Sequence, residues 1–231
     1  MRRILLVLMA LALLAGGTTG LSATEDPARA IARINGICTA EVIRPMLAVT
    51  ASHCVGFIGG DEELEFVRGH AIITVEGTLV WDSLWFDGDT DGLDLAFVQL
   101  AQPWPHQLRL ARLLPSSFPT YGYSVSAALG SIPFFKRLLL VEDMKHVSGL
   151  GWVLVYRGDT YPGASGSAVL DMSGEVIGLI THGYSAAHPP VLLGAAVGRI
   201  ATALRDYDRR GRMVHCGEKD DCVIRREYDQ P

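Results

Sequence analysis

Short apolar runs separated by turn-forming residues dominate the chain from Ile34 onward. Runs of this length that are bounded by Gly, Pro, Asn, Asp or Ser are typical of β-strands. We therefore predict strands at 46–50, 66–67, 71–75, 93–100, 123–129, 137–142, 152–156, 167–170 and 176–180.

A helical period appears only after these strands. Residues Val197, Ile200, Ala201, Leu204 and Tyr207 follow the i, i+3, i+4, i+7 spacing of a helix with one apolar face. The sequence therefore predicts a helix near the C-terminal end of the folded region.

The predicted strands fall into two groups. Between them, residues 101–120 carry four prolines, at 103, 105, 115 and 119, and this stretch is interpreted as a connector. Two groups of short strands indicate two antiparallel β-barrels in an all-β domain over 24–210. The residues from 24 to 33 are interpreted as a polar lead, and 211–231 as a charged surface tail.

The first residues have the composition of a secretory signal peptide. Arg2 and Arg3 precede an apolar run at 4–15 and small residues at 16–23. A membrane anchor needs about 20 apolar residues, and this run is shorter. We therefore predict a signal peptide at 1–23, a secreted or periplasmic protein, and no stable membrane anchor.

Composition narrows the classes of partner. The chain has 231 residues, of which 49% are apolar, so it can bury sizeable cores. Its formal net charge of −5 gives a nucleic-acid partner no electrostatic support.

Export makes disulfides possible, and four cysteines allow three pairings. We favour Cys38 with Cys54 and Cys216 with Cys222, since the second pair would close a short loop in the polar tail. The alternative is a metal site formed by Cys38, His53 and Cys54. Their spacing fits no zinc pattern, so we predict no metal there.

Residues 87–92 begin like a calcium-binding loop of the EF-hand type. Position twelve of such a loop is a glutamate, and this chain has Val98 there. An acidic turn that leads into the following strand is the favoured interpretation, and we predict no cofactor.

Three residues carry the chemistry of nucleophilic hydrolysis. A serine hydroxyl needs a base to take its proton, and that base needs a carboxylate to orient it. His53, Asp94 and Ser165 supply these groups in separate strand-and-turn settings. Gly163 and Gly166 flank the serine and permit a sharp turn, although composition alone fits a plain surface turn equally well.

Three motifs in order resemble one family. Residues 50–54, Thr-Ala-Ser-His-Cys, closely resemble the Thr-Ala-Ala-His-Cys signature of trypsin-like (chymotrypsin-fold) serine peptidases. The Asp-Leu-Ala at 94–96 is similar to their Asp-Ile-Ala strand. The Gly-Ala-Ser-Gly-Ser at 163–167 is similar to their nucleophile turn. The resemblance spans roughly 34–207 in the chain order of the family.

The resemblance implies two six-stranded β-barrels of the chymotrypsin type and a polypeptide substrate. We also predict a monomer. Ser165 is expected to be the nucleophile, His53 the general base, and Asp94 the group that orients it. The amides of Gly163 and Ser165 are expected to form the oxyanion hole. Cys38 and Cys54 match the disulfide that the family has beside its histidine.

Four further positions are implied to bind substrate. Thr181 matches a serine beneath the aspartate of the triad, and Gly183 lies on the edge strand that pairs with substrate backbone. Asp159 matches the base of the primary specificity pocket, and Thr160 follows it.

The specificity stays open between two patterns. An aspartate at position 159 is similar to trypsin, which selects Lys or Arg. Asp159-Thr160 before the nucleophile turn also resembles bacterial glutamyl endopeptidases, which use a pocket histidine. At the matching position this chain has Ile180, and His182 lies two residues later.

One departure from the family concerns activation. Digestive members have Asp before the nucleophile and a cleavable Ile-Val-Gly-Gly start. Here the residue is Ala164, and no such start follows the predicted signal. We therefore predict activity without internal cleavage.

The sequence leaves two alternatives to a secreted serine endopeptidase. One is a catalytically silent exported binding protein of the same fold, and the other is an esterase on this scaffold.

Overall fold

A computed structural model describes residues 26–83, 94–128, 131–147, 151–158, 162–184, 191–210, 214–216 and 222–224. Three sequence predictions lie outside these residues: the signal peptide at 1–23, the calcium-like loop at 87–92, and the pocket residues Asp159 and Thr160.

The first half of the chain forms a closed antiparallel barrel in the order β1-β2-β3-β6-β5-β4. Its strands are β1 (Ile31–Ile34), β2 (Cys38–Arg44), β3 (Leu47–Thr50), β4 (Asp61–Arg68), β5 (Ala71–Asp82) and β6 (Ala96–Leu100). In β4 the side chains alternate between exposed and covered, with Leu64 and Phe66 fully buried. That period of two places one face of the strand on the barrel core.

Strand β1 corrects the interpretation of residues 24–33 as a polar lead. Ile31, Ala32 and Ile34 are fully buried, and β1 pairs with both β2 and β4 to close the barrel. The strand is only four residues long and includes Arg33, so its apolar pattern is too short to stand out.

The second half forms a seven-stranded sheet in the order β11-β10-β7-β8-β9-β13-β12. Its strands are β7 (Thr120–Ala128), β8 (Ser131–Val147), β9 (Gly151–Arg157), β10 (Ala168–Leu170), β11 (Val176–Leu179), β12 (His182–Tyr184) and β13 (Val191–Ala195).

The two ends of this sheet belong to one interrupted strand. Only Ile180 and Thr181 separate β11 from β12, and the Thr181 N–H donates to the Leu193 carbonyl (3.0 Å). An isolated antiparallel bridge between Gly178 and Ala196 also joins β11 to the end of β13. The predicted all-β, chymotrypsin-like fold is therefore confirmed. The second sheet has seven strands rather than six because one strand breaks at 180–181.

The connector and the C-terminal helix hold the halves together. In the connector, the Leu108 N–H donates to Val42 of the first barrel, and the carbonyl of Arg109 accepts from Val176 of the second. The predicted helix is confirmed as α1 (Val197–Arg210). It follows the second barrel, yet Asp208 forms two hydrogen bonds with Arg44 of the first (2.6 and 2.7 Å).

The tail contains a small two-stranded sheet formed by β14 (Val214–Cys216) and β15 (Cys222–Ile224). Its register places Cys216 opposite Cys222, and a disulfide between them stays a prediction. Among the described residues, no helix has both the length and the apolar composition needed to span a bilayer.

Candidate active site

His53 lies on a single 3₁₀ turn, Ser52–Cys54, that follows β3. The turn is fastened to the start of β2 by a Cys38–Cys54 disulfide, which confirms this predicted pairing. Ligand atoms of Cys38, His53 and Cys54 lie within 4.8 Å of one another, but the two sulfurs are bonded to each other and are not free thiolates. The imidazole is about half exposed, so an incoming molecule can reach it.

Asp94 lies two residues before the first residue of β6 and binds His53 at two atoms. Its Oδ1 accepts the backbone N–H of His53 at 3.0 Å, and its Oδ2 is 2.8 Å from the His53 Nδ1. Asp94 has a left-handed backbone with φ of 47°, a conformation that is uncommon for a residue other than glycine. The aspartate backbone joins the same region, because its carbonyl accepts the N–H of Ser52. The carboxylate is therefore held in place and fixes the histidine ring.

This contact changes the acidity of the histidine. The hydrogen bond to Asp94 raises the pKa of His53 above its ordinary value of 6.5, and partial burial of the ring opposes the rise. A carboxylate at hydrogen-bond distance from Nδ1 favours the imidazolium and keeps the Nε2 side available for a proton.

Asp82 is a second buried carboxylate, and it contacts the turn that carries His53. Ser52 stands where the family signature has alanine, and its hydroxyl donates to Asp82 Oδ1 at 2.8 Å. Next to Asp82, the hydroxyl of Ser83 accepts the N–H of Leu95 at 3.0 Å. The end of β5 therefore supports both the histidine turn and the strand that begins after Asp94.

Ser165 lies on a sharp turn between two glycines with left-handed backbones. Gly163 has φ of 99° and Gly166 has φ of 81°. A Cβ on Gly166 would lie 2.1 Å from the Thr39 carbonyl oxygen and 2.4 Å from the Thr50 hydroxyl. The turn is thus packed against strands of the first barrel, and only glycine fits at that point.

The structure brings the serine turn against the segment that carries His53. The Cβ position of Gly166 lies 3.1 Å from the amide nitrogen of Ala51, two residues before the histidine. His53 and Ser165 are both described, and no hydrogen bond joins them. The amides of Gly163 and Ser165 donate to none of the described residues.

Two of the four predicted substrate-binding residues, Thr181 and Gly183, lie within the described part of the chain. Gly183 is on β12, where it pairs with Leu192 of β13. Among the described strands, β12 has a partner on one side only, since it ends the sheet order. Thr181 is buried, but its hydroxyl lies 2.9 Å from the Nδ1 of His182 rather than hydrogen-bonding to Asp94.

Three further residues lie near the site. The Nδ1 of His182 lies 4.0 Å from Asp94 Oδ2, the same oxygen that contacts His53. Thr39 and Glu41 of β2 are fully buried and contact the serine turn. The two lie more than a hundred residues before that turn, and only the folded chain reveals the contact.

A known protein family matches most of the chain. The profile of a family described as a trypsin-like peptidase domain matches residues 35–179. No curated protein matches the chain by sequence.

Several solved structures are similar in fold. The active form of the Rv3671c protease from M. tuberculosis is 18% identical, with a TM-score of 0.65 over 83% of this chain and 85% of that one. Its inactive form is also 18% identical, with a TM-score of 0.60 over 78% and 90%. The serine endoprotease from Yersinia pestis is 12% identical, with a TM-score of 0.63 over 80% and 65%. At these identities the likeness establishes the fold alone.

Proposed function

Because the chain belongs to the family of trypsin-like peptidase domains, we propose that it is an exported serine endopeptidase. Its catalytic triad is His53, Asp94 and Ser165. The observation that carries this proposal is the 2.8 Å contact between the His53 Nδ1 and Asp94 Oδ2. It lies beside a turn that presents Ser165 between two left-handed glycines.

The reaction proceeds through an acyl-enzyme. The Ser165 hydroxyl oxygen attacks the carbonyl carbon of the scissile peptide bond, and His53 Nε2 takes the hydroxyl proton. The C–N bond then breaks, and the same proton passes to the leaving amine. Water repeats the sequence at the ester, which releases the carboxylate product and restores Ser165. Asp94 stays ionised throughout and stabilises the imidazolium.

The developing oxyanion is bound by the amides of Gly163 and Ser165. Their lack of an acceptor among the described residues supports this role, because an oxyanion hole needs donors that are not already used. Loss of one such donor typically raises the barrier by about 3–4 kcal/mol.

The substrate is an extended polypeptide that pairs with the open side of β12 near Gly183. The single partner of β12 among the described strands supports this binding mode. Asp159 and Thr160 are proposed to line the primary specificity pocket, with a preference for either basic or acidic side chains.

Export and activation complete the proposal. The Cys38–Cys54 disulfide supports an oxidising compartment, since such bonds are rare in the cytosol. Ala164 is 6% exposed and has no carboxylate to pair with a new amino terminus. The disulfide supports export, and Ala164 supports a protein that needs no activating cut. The proposal includes a monomeric active form.

A fluorophosphonate probe tests the proposal, because it reacts with an activated serine. The native chain is expected to be labelled and the Ser165→Ala variant is not. Ser116→Ala, which removes an exposed connector serine, serves as the control and is expected to be labelled like the native chain. Folded native protein that resists labelling would favour a silent binding protein instead.

Mapping of cut sites in a random peptide library then separates the remaining cases. Peptide cleavage is expected, with a fixed preference before the scissile bond. Hydrolysis of a small ester without any peptide cleavage would favour an esterase.

A further inference from the structure

Strand β2 of the first barrel makes hydrogen bonds to the serine turn, residues 163–168, through two alternate residues. Thr39 and Glu41 lie two apart on β2, so their side chains point to the same face of the strand. Both are fully buried and both make hydrogen bonds to backbone atoms within residues 163–168. A single strand therefore holds the turn at several points.

Thr39 makes two of these contacts. Its N–H donates to the carbonyl of Ser165 at 2.9 Å, and its hydroxyl donates to the carbonyl of Gly163 at 2.7 Å. Thr39 is itself fixed, because its own carbonyl accepts the Thr50 hydroxyl at 2.7 Å. The carbonyls of Gly163 and Ser165 are thus both anchored to one residue.

Glu41 holds the far end of the turn. One carboxyl oxygen accepts the N–H of Ala168, three residues after the serine. The other oxygen has no hydrogen-bond partner among the described residues. Complete burial raises the pKa of this carboxyl well above its ordinary value, and the bond from Ala168 opposes the rise.

These anchors lie next to the two proposed oxyanion donors. A peptide plane is rigid, so the direction of a carbonyl fixes the orientation of the amide that follows it. The Thr39 hydroxyl fixes the plane between Gly163 and Ala164, and the Thr39 N–H fixes the plane between Ser165 and Gly166. The Ser165 amide lies between these two planes, and the Gly163 amide is joined to the first of them through the Gly163 Cα. Ala164 contributes no carboxylate that would hold the turn from within the second barrel.

We infer that Thr39, assisted by Glu41, is a positioning residue that holds the amides of Gly163 and Ser165 in the arrangement needed to bind the oxyanion. This inference rests on the proposed function. It adds that side chains of the first barrel hold the serine turn in place. Neither residue touches the substrate.

The Thr39→Val variant tests the inference, since valine has nearly the shape of threonine and has a methyl group in place of the hydroxyl. The readout is the pre-steady-state burst with p-nitrophenyl acetate, which separates the binding constant of the ester from the rate of acylation. We expect acylation to slow by about tenfold or more, because a small misplacement of catalytic groups has large kinetic effects. The binding constant is expected to stay within about twofold.

Inhibition by phenylboronic acid gives a second readout, because its tetrahedral serine adduct uses the oxyanion hole. Its affinity is expected to weaken in Thr39→Val by a factor similar to the loss in acylation. Thr39→Ser keeps the hydroxyl and is expected to restore most of both. Thr202→Val is the matched control, since it removes a hydroxyl that donates to a carbonyl on the distant helix α1 and is expected to change neither.

The outcomes separate the two proposals. Acylation by Thr39→Val at the native rate overturns the inference alone, and so does an equal loss in Thr39→Val and Thr39→Ser. If the native chain forms no acyl-enzyme, the proposed function fails and the inference falls with it. If Thr39→Val does not fold, Thr39→Ala, which introduces no new atoms, replaces it in the same comparison.

Discussion

Asp94 binds His53 through both of its carboxyl oxygens, one at the backbone N–H and one at the ring Nδ1, at 3.0 and 2.8 Å. The backbone bond fixes the carboxylate relative to the turn, and the ring bond fixes the imidazole relative to the carboxylate. The tautomer with the proton on Nδ1 is therefore imposed by a group that the turn itself holds.

The first prediction follows from this pair. In Asp94→Asn the amide NH₂ would face Nδ1, so the ring proton would move to Nε2 and the histidine would no longer accept the serine proton. We expect kcat on a cleaved peptide to fall by roughly 10³–10⁴-fold. Asp61→Asn, an exposed change at the start of β4, is the control. A loss below about tenfold would contradict the assigned role of Asp94.

The second prediction concerns the pH dependence of activity. His53 acts as a base only when neutral, and the bond to Asp94 raises its pKa above 6.5. As the pH falls through that raised pKa, the ring is protonated and kcat/KM declines. We therefore expect the midpoint of the acid limb above pH 6.5, measured as kcat/KM across pH 5–9. A midpoint clearly below 6.5 would show that a different group controls the limb.

The third prediction compares two glycines that share a left-handed backbone. Gly36 has φ of 70° and no atom within 4 Å of its Cβ position, so Gly36→Ala is expected to cost only the conformational strain of about 1–2 kcal/mol. Gly166→Ala adds a clash with the Thr39 carbonyl, which must displace the serine turn. We expect kcat/KM to fall at least about hundredfold in Gly166→Ala and little in Gly36→Ala. Urea unfolding and peptide hydrolysis measure both, and equal activity losses would argue against the tight fit.

The fourth prediction concerns the disulfide, whose cysteines are 16 residues apart. Removing a cross-link over a loop of that size typically costs about 3 kcal/mol. For a domain of this size, Tm is expected to fall by about 6–12 °C in the Cys38→Ala/Cys54→Ala double variant. A calorimetric shift below about 2 °C would mean that the histidine turn is held without the bond.

The fifth prediction uses the buried carboxyl of Glu41. Its folded-state pKa is raised well above the ordinary 4.5, so the folded protein keeps a proton that the unfolded chain releases. The stability that this group contributes is fully present below about pH 4.5 and is lost as the pH rises toward the folded pKa. Glu41→Gln has no such loss. It should match the native chain near pH 4 and exceed it at pH 7.5, with a gap that widens by about 1.4 kcal/mol per pH unit between the two pKa values.

Urea titrations at several pH values measure that gap, because the other carboxylates cancel in the difference between the two proteins. A constant difference across the range would show that Glu41 is ionised in the folded state.

Sequence patterns predict the residues whose conformation is set by their neighbours in the chain. The segment around His53 and the glycines beside Ser165 are readable because sharp turns need particular residues. The strands at 47–50, 151–157 and 176–179 are readable because their apolar runs are bounded by turn formers. The predicted strands do not include β1, β2 or β12–β15. Most of these have only three to five residues, which give too little period to detect, and the longer β2 has Thr39 and Glu41 at polar positions between its apolar residues.

Contacts across the barrels lie beyond such reasoning. Thr39 and Glu41 occupy alternate positions of a strand, where polar residues ordinarily indicate a solvent-facing side. Here that side faces the other barrel, so both are fully buried. The proximity of His182 to Asp94 likewise depends on the folded chain, since the two residues are far apart in sequence and belong to different halves of the fold, Asp94 just before β6 and His182 on β12.

The dependence of the serine turn on β2 has a consequence for how this molecule tolerates change. The reactive alcohol lies on one half of the chain and its scaffold lies on the other, so neither half is an independent module. Exchanging one half for that of a distant homologue would keep every chemical group and still lose the fit between them. Such a protein can therefore diverge by paired substitutions, one in β2 and one in the serine turn, rather than by single replacements.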